Sequence, residues 1–419
     1  TFKDGATALA TNTLTAGQTT FDTASLAVAS HSITAVYNGE DNFNPSTNSP
    51  ALTQTVNKAG TTTTVLSSAN PSVVNDLVTF SVTVNAVAPA SGTPTGTVTF
   101  KDGSTELATH TLTSGQTTFD TSSLTAGSHS ITAVYNGDGS FNTNTSSLLT
   151  QTVIKSPSTT TLTSSTNPSV FGQSVTFTAT VIGTNGTPTG TVTFKDGAVS
   201  LTTNTLSSGV ATLTTSSLSV SAHSLTAVYN GDTTYHTNAS LVLTQVVNTA
   251  DTTTSLASSN NPSVFGQSVI FTATVSAVSP GAGTPSSTVT FMDGATPLET
   301  NSLVSGQATY TNSAFSVGDH SITVVYDGDN NFNPNTSLVL TQTVDKADTT
   351  ATVSSSTSPS VFGQAVIFTA TVNAVSPGSG TPTGAVVFSD GATVLATNSL
   401  SAGQAKYTNS FLTAGVHTI

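Results

Sequence analysis

The sequence contains no cysteine and no tryptophan. The first absence excludes disulfide bonds, thiolate metal sites and cysteine nucleophiles together. The second removes the aromatic side chain that most often anchors a ligand on a protein surface, and only seven tyrosines are present to replace it. The sequence therefore excludes thiol chemistry and disfavours an aromatic ligand-binding platform.

Charge is also scarce. Charged side chains are 6% of the chain, and seven basic residues stand against 20 acidic ones, for a net charge of −13. This balance repels phosphate and anionic lipid, and no apolar run approaches the roughly 20 residues that a membrane-spanning helix needs. We therefore expect no nucleic-acid partner and no membrane insertion in this segment. The abundance of Thr, Ser, Asn and Gly is typical of secreted or cell-surface β-proteins.

An internal repeat is the main signal that is present. The segment Asn-Pro-Ser-Val begins at Asn70, Asn167 and Asn261 and returns as Ser-Pro-Ser-Val at Ser358, with spacings of 97, 94 and 97 residues. A second marker, Thr-Phe-Lys-Asp-Gly, and a third, His-Ser-Ile-Thr-Ala-Val-Tyr-Asn-Gly, return with the same period. A fixed period of this length is the signature of tandem structural units.

Within a unit the apolar residues alternate with polar ones. Val78, Phe80, Val82 and Val84 fall on one face of a predicted strand, and no segment has the period of a helix. Strands are predicted at 61–67, 78–84, 97–101, 106–112, 117–124, 129–135 and 148–153, separated by Gly-containing turns. Seven short strands in a unit of this size predict an all-β fold of tandem immunoglobulin-like Greek-key β-sandwiches arranged end to end.

The repeat also predicts the unit boundaries. We expect complete units at 58–154, 155–248 and 249–345, joined by short linkers. Residues 1–57 should form a partial unit without the first strands, and residues 346–419 one without the last strands. Because a half sandwich leaves a core face uncovered, we expect the chain to be a segment of a longer array.

Three stretches taken together resemble a known family: Asn-Pro-Ser-Val, the run from Gly92 to Gly103, and the run from Leu124 to Asp138. In combination they look like the bacterial Ig-like repeats called Big group 3, and the resemblance covers essentially the whole chain. It implies a long secreted or cell-surface protein in which such arrays act as stalks, spacers or adhesive fibres. It implies no catalytic or binding residue.

A histidine recurs at the start of one predicted strand. His31, His129, His223 and His320 occupy the position that a tyrosine takes in an immunoglobulin tyrosine corner, where it closes the loop entering the strand by bonding to backbone. We predict a structural corner at these histidines, with a metal or catalytic role as the alternative. The recurring Asp-Gly pairs are interpreted as tight turns that need a positive φ.

Acidic and amide side chains follow the same strand. Asp327, Asp329, Asn331 and Asn333 offer oxygen atoms at alternating positions, which is what Ca²⁺ prefers. A calcium ion at a junction, held for example by Asp196, Asp251 and Asp329, is one hypothesis. The alternative is a solvated turn without a metal, and no other cofactor is indicated.

An inward-facing glutamine recurs on the last strand, at Gln54, Gln151, Gln245 and Gln342. Burying it without a hydrogen bond would cost about 1 to 3 kcal/mol, so we expect a partner for each. An ester crosslink to a first-strand threonine, Thr63, Thr160 or Thr254, is an alternative interpretation.

These observations predict a structural or adhesive repeat segment of an extracellular stalk or fibre. It would act as a rigid spacer and as a building block of a filament, without enzyme activity, and its partners would be neighbouring copies or chains of the same protein. One alternative is a surface module that binds a cell-surface glycan or a host protein. Another is a set of spacer repeats attached to a secreted hydrolase.

Overall fold

Alternation of apolar and polar residues gives each strand one buried face. In the computed structural model, which describes residues 1–419, Val175–Gly183 is a strand whose side chains at Val175, Phe177, Ala179 and Val181 are at most 2% exposed. This period of two is that of a half-buried strand. The structure contains strands and no helix, so it has no helix long and apolar enough to cross a membrane. The predicted all-β fold is confirmed.

The strands fall into five groups along the chain. Residues 1–57 contain β1 Phe2–Asp4, β2 Thr7–Ala10, β3 Ala29–Tyr37, β4 Ser46–Thr47 and β5 Leu52–Val56. Residues 58–154 contain β6 Thr61–Ser67, β7 Ser72–Val73, β8 Val78–Ala86, β9 Thr97–Asp102, β10 Thr105–Thr111, β11 Gln116–Thr121, β12 Gly127–Tyr135, β13 Asn144–Thr145 and β14 Leu149–Ile154. Residues 155–248 contain β15 Ser158–Ser164, β16 Ser169–Val170, β17 Val175–Gly183, β18 Thr191–Asp196, β19 Val199–Thr205, β20 Val210–Thr215, β21 Ala222–Tyr229, β22 Asn238–Ala239 and β23 Leu243–Asn248.

The remaining two groups complete the set. Residues 249–345 contain β24 Thr252–Ser258, β25 Ser263–Val264, β26 Val269–Ala277, β27 Thr288–Asp293, β28 Thr296–Ser302, β29 Gln307–Asn312, β30 Gly318–Tyr326, β31 Asn335–Thr336 and β32 Leu340–Asp345. Residues 346–419 contain β33 Thr349–Ser355, β34 Val366–Ala374, β35 Ala385–Asp390, β36 Thr393–Ser399 and β37 Gln404–Asn409.

Each complete unit is a sandwich of two sheets. In residues 58–154 one sheet has the order β11-β8-β6 and the other β10-β9-β12-β14-β7, with β13 paired to β12. The pairs are antiparallel except β14 with β7, which is parallel at Val153 and Ser72. Phe80 from the first sheet and Phe100 and Tyr135 from the second are 0% exposed and share one core. Sandwiches of this kind bury the inward residues of both sheets.

The next two units repeat this arrangement with separate cores. Residues 155–248 and 249–345 have the same three-stranded and six-stranded sheets, in the same strand order. Their cores contain the equivalent aromatic residues, Phe177, Phe194 and Tyr229 in one unit and Phe271, Phe291 and Tyr326 in the other. Each of these units therefore has what it needs to fold by itself.

The first and last groups each keep part of the sandwich. Residues 1–57 keep β1 to β5 of the larger sheet, and residues 346–419 keep the sheet β33-β34-β37 and the hairpin β35-β36. Their apolar residues are correspondingly uncovered: Phe43 is 64% exposed and Phe411 is 86% exposed. In residues 346–419 a concavity of about 570 Å³ has a mixed lining that includes Val353, Phe368 and Leu412.

The linkers are paired segments. Ala59 forms a parallel bridge with Phe141, Ser156 with Tyr235, and Ala250 with Phe332. In each case the linker residue pairs with a loop of the unit that the linker enters. That loop follows the long strand of the unit, which is β12, β21 or β30. A segment paired in this way has less freedom than an open chain of the same length.

The two-residue strands were not predicted from the sequence. Ser72–Val73 and its equivalents Ser169–Val170 and Ser263–Val264 pair with the last strand of the unit, and they add a parallel edge to the larger sheet. The seven longer strands lie at the predicted places, with ends that differ by at most three residues.

Candidate functional site

The recurring histidine lies at a corner between two neighbouring strands. Asp102 ends β9 and His129 lies near the start of β12, which pairs with β9. The His129 Nδ1–H donates to Oδ2 of Asp102 at 2.7 Å, and its Nε2–H donates to the carbonyl oxygen of Thr125 at 2.8 Å. The other carboxylate oxygen of Asp102 accepts from the Ser130 N–H at 2.8 Å. One carboxylate thus ties the turn after β9 to the loop that enters β12.

Every unit of the chain contains this corner. The distance from Nδ1 to the carboxylate is 2.5 to 2.6 Å in the other four copies, His31 with Asp4, His223 with Asp196, His320 with Asp293 and His417 with Asp390. The Asp-Gly pair also makes the predicted tight turn, because Gly103 has φ +55° and its equivalents are within a few degrees of it. The sequence interpretation of Asp102 as a turn residue is confirmed, but it missed the bond to His129.

Both ring nitrogens of the corner histidine face an acceptor. A neutral imidazole can donate from only one nitrogen, so this geometry favours the doubly protonated ring. Burial lowers the pKa of His129, but the hydrogen bonds to the Thr125 carbonyl and the Asp102 carboxylate outweigh it and raise the pKa above 6.5. The pKa is raised in the other four copies as well. The corner is therefore a partly buried ion pair at pH values below this raised pKa.

A serine hydroxyl lies near two of these histidines. Ser221 Oγ is 3.1 Å from Nε2 of His223, and Ser316 Oγ is 3.3 Å from Nε2 of His320. Ser, His and Asp are the residue types of a hydrolytic triad. However, the same Nε2 of His223 is 2.9 Å from the Ser219 carbonyl oxygen, so it must carry a proton there and cannot take one from the serine. The geometry favours a structural corner at this place.

A carboxylate organises the loop after the long strand. In residues 58–154, Asp138 Oδ2 accepts from the N–H and the hydroxyl of Thr95, and Oδ1 accepts from the N–H groups of Ser140 and Phe141. Asp232 and Asp329 make the equivalent sets of bonds. Burial alone would raise the pKa of Asp232, but these hydrogen bonds outweigh it and lower the pKa to about 2. This carboxylate satisfies backbone donors in the loop.

The residues predicted as calcium ligands have other partners. Asp329 accepts its four hydrogen bonds from the protein, and Asp327 accepts from the Thr288 hydroxyl at 3.4 Å. Asn333 binds the linker, donating from Nδ2 to Asp251 at 2.8 Å and accepting from the Thr249 hydroxyl.

The second set of proposed ligands is also divided. Asp196 binds His223 in its own unit, at the corner, while Asp251 accepts from Asn333 Nδ2 at 2.8 Å. No three carboxylate or imidazole side chains in the structure lie together as a metal site requires. The geometry therefore favours the alternative of a turn held by its own hydrogen bonds, and calcium binding stays a prediction.

The inward glutamine of the last strand is hydrogen-bonded in the complete units. Gln245 is 0% exposed, and its Nε2 donates to the Thr166 carbonyl at 3.0 Å and to the Ser169 hydroxyl at 3.1 Å. Its Oε1 accepts from the Ser164 hydroxyl at 2.7 Å, and Gln342 accepts from Ser258 in the same way. The hydroxyls of Thr63, Thr160 and Thr254, the candidates for an ester crosslink, are buried without a hydrogen-bond partner. The glutamine thus meets serine hydroxyls and not these threonines.

The tyrosines of the long strand do not form a binding surface. Tyr135, Tyr229 and Tyr326 are 0% exposed, as expected for residues on the core face. Burial, reinforced by the nearby Asp138 carboxylate, raises the pKa of Tyr135 to about 12. The complete units accordingly present hydroxyl and amide groups at their surfaces, and few aromatic rings.

A family model described as bacterial Ig-like domain (group 3) matches five segments of the chain, residues 1–57, 64–154, 162–248, 256–345 and 352–419. The matched segments follow the five groups of strands. No curated protein matches the chain.

Several solved structures of tandem β-sandwich domains are similar to parts of the chain. The fibronectin(III)-like modules of Clostridium thermocellum CbhA are 22% identical, with 45% of this chain and 94% of that chain covered and a TM-score of 0.19. The Escherichia coli adhesin FdeC is 18% identical, with 68% and 96% covered and a TM-score of 0.25. Sidekick-1 immunoglobulin domains 1–5 are 14% identical, with 98% and 86% covered and a TM-score of 0.23.

The corner predicts a pH dependence of stability. Because the folded pKa of the histidine is raised above 6.5, its contribution is fully present below pH 6.5 and is lost as the pH rises through the folded value. Replacing His129 by Gln should cost its unit about 1 to 3 kcal/mol at pH 6 and less at pH 9. Thermal unfolding at both pH values, together with NMR titration of the imidazole, measures this. His236→Gln, which changes no corner, is the control, and an equal cost at both pH values would contradict the ion pair.

The calcium hypothesis predicts a shift in melting temperature. If Asp327, Asp329, Asn331 and Asn333 held Ca²⁺, millimolar calcium would raise the melting temperature relative to EDTA, since a ligand that binds the folded state stabilises it. Because Asp329 already accepts hydrogen bonds from the protein, we expect the same melting temperature in calcium and in EDTA. A calcium-dependent increase that is abolished by Asp327→Asn would show that the loop rearranges to bind the ion.

Proposed function

The chain belongs to the bacterial Ig-like domain (group 3) family, and from that membership and its geometry we propose that it is a rigid spacer segment of an extracellular stalk or fibre. The observation that carries the proposal is the pairing of each linker with the unit it enters, at Ala59, Ser156 and Ala250. A linker fixed at this point leaves few free torsions between successive sandwiches. Units joined in this way transmit direction and force along the chain.

The polar chemistry of the units supports the same proposal. The side chains that could catalyse or coordinate, such as His129, Asp102 and Asp138, make internal hydrogen bonds that recur from unit to unit. A group that closes a corner in every unit contributes to the stability of the array. We therefore propose that this segment is not an enzyme and holds no cofactor.

The surface suits a location outside the cell. With 6% charged residues the chain relies on hydroxyl and amide groups for its contact with water. The proposed partners are copies of the same protein, and a glycan or a host protein is the partner of the alternative binding function.

One observation favours contacts between chains. Leu241 is 91% exposed and Leu338 is 90% exposed, at the same position of two successive units, and each is followed by an exposed valine. Two exposed leucines spaced by one repeat would give a neighbouring chain apolar contact points at the period of the array. This supports a filament version of the proposal, in which copies pack side by side.

The spacer proposal predicts the shape of the chain. A nine-residue strand is about 30 Å long, so three complete units in line should span at least about 90 Å. Small-angle X-ray scattering from the 419-residue chain should therefore give a rod-like distance distribution. A compact particle, or beads with free orientations in negative-stain images, would contradict it. Reproducible glycan binding through a loop present in every unit would favour the alternative function.

The filament version has a separate test. Replacing both Leu241 and Leu338 by Ser removes the exposed leucines without touching the core, and it should shift the sedimentation of concentrated protein toward the monomer. Replacing Thr212 and Thr309, exposed threonines of the same two units, by Ser is the matched control. Identical sedimentation of parent and variant would contradict the filament version and leave the spacer proposal in place.

A further inference from the structure

A loop of one unit lies against a loop of the next at two junctions. Phe171 and Gly172 follow β16, and the carbonyl oxygen of Phe171 accepts from the N–H of Ala282 in the next unit at 3.2 Å. At the following junction the carbonyl of Phe265 accepts from the N–H of Ser379 at 3.2 Å, and the Ser379 hydroxyl donates to the carbonyl of Gly266 at 2.6 Å. We call Phe171–Gly172 and Phe265–Gly266 the plugs, and residues 280–283 and 377–380 the sockets.

The aromatic ring of the plug packs over a glycine of the socket. The ring of Phe171 lies edge-on to Phe332, with centroids 5.5 Å apart, and a Cβ placed on Gly283 would be 3.3 Å from it. A Cβ placed on Gly380 would likewise be 3.3 Å from the ring of Phe265. Glycine therefore gives the ring room to approach the socket backbone.

The glycine of the plug is required by the same contact. A Cβ on Gly172 would lie 2.2 Å from the carbonyl oxygen of Ala282, and one on Gly266 would lie 2.4 Å from that of Ser379. Both distances are far shorter than any real contact. Gly363 has the same sequence context and φ +81°, against +76° and +81° for the other two, but nothing lies within 4 Å of its Cβ position. The chain thus contains a matched glycine that makes no junction.

The junction between residues 58–154 and 155–248 is built differently. Val74 and Asn75 stand where the other units have Phe and Gly, and Asn75 adopts φ +71°. The facing loop, 182–187, is three residues shorter than its equivalents, which accounts for the spacing of 94 residues in place of 97. Tyr235 takes the place of Phe332 and fills the space over Gly183, donating its hydroxyl to the carbonyl of Gly186 at 3.0 Å. A plug with a smaller side chain and a shorter socket loop occur together at this junction.

We infer that plug and socket form a matched interface that fixes the orientation of one unit on the next. The partner of a Phe–Gly plug is the glycine-containing socket loop of the following unit, where that loop has the longer of the two lengths. This inference rests on the proposed spacer function and assigns its stiffness to particular residues. Phe171 and Phe265 are orienting residues, and Gly172 and Gly266 permit the backbone contact. The junction at Val74 is a second class that the Phe–Gly plug does not fit.

Distances between spin labels test the inference directly. Because the chain has no cysteine, Thr212→Cys with Thr309→Cys places one label on β20 and one on the equivalent strand β29, across the Phe171 junction. In the parent chain we expect a narrow distance distribution. Phe171→Ala should broaden it about twofold or more, because contacts between domains are the main restraint on their relative motion.

Two controls separate the junction from general destabilisation. A pair at Thr118→Cys and Thr212→Cys spans the Val74 junction, and its distribution should not change in Phe171→Ala. Phe362→Ala removes a phenylalanine with the same neighbours in sequence that is 81% exposed, and it should leave the Thr212–Thr309 distribution unchanged. Equal effects of Phe171→Ala and Phe362→Ala would overturn the inference.

The glycines give a second, independent comparison. Gly172→Ala and Gly363→Ala carry similar backbone strain, because both positions have φ near +80°. Only Gly172→Ala should change the Thr212–Thr309 distance, since only there does the added methyl group meet the next unit. An unchanged distance in Gly172→Ala would overturn the inference. Broad distances in the parent chain itself would instead contradict the rigid spacer, so the two failures are distinguishable.

Discussion

The structure depends on the pairing of one long strand with both of its neighbours. In residues 58–154 this strand is β12, which pairs with β9 on one side and with β14 on the other. Its inward residues Ile131, Ala133 and Tyr135 are 0% exposed and form the centre of the core. The corner histidine His129 lies near its start, and the loop that receives the linker follows its end. A single strand therefore joins the core, the corner and the junction.

This arrangement explains how so few charges are used. Eight of the 20 acidic residues are the five corner aspartates and the three loop aspartates, such as Asp102 and Asp138. Each corner aspartate accepts from an imidazole and one backbone N–H, and each loop aspartate accepts from three backbone N–H groups and a hydroxyl. Leaving the part-buried donors among them without an acceptor would be costly. A carboxylate accepts several hydrogen bonds at once through its two oxygens. A neutral side chain with one acceptor oxygen would leave some of these donors unpaired and would bind the rest more weakly.

The sequence was informative where the physical signal is periodic. Alternation over nine residues, as at Val78–Ala86, predicted the long strands and the sandwich. It could not reveal Ser72–Val73, because two residues have no period and their parallel partners lie 81 residues away. The bond between Asp102 and His129 was missed because a tight turn already accounted for the Asp-Gly pair. The calcium pattern at Asp329 was ambiguous because the same oxygen atoms can accept backbone N–H groups, which sequence spacing does not show.

The unequal spacing of the repeats could be explained only from the structure of the junctions. The repeat spacing is 94 residues at one interval and 97 at the other two, and this difference is visible in the sequence. What the difference means for the fold depends on which loop lacks the three residues. They are missing from the loop that faces the plug, and the unit before that loop carries Val74–Asn75 in place of Phe–Gly. A loop that only connected two strands would be free to vary in length independently of the preceding unit. At this junction the residues on both sides differ together, and Tyr235 fills the space left by the shorter loop, as expected of two surfaces in contact.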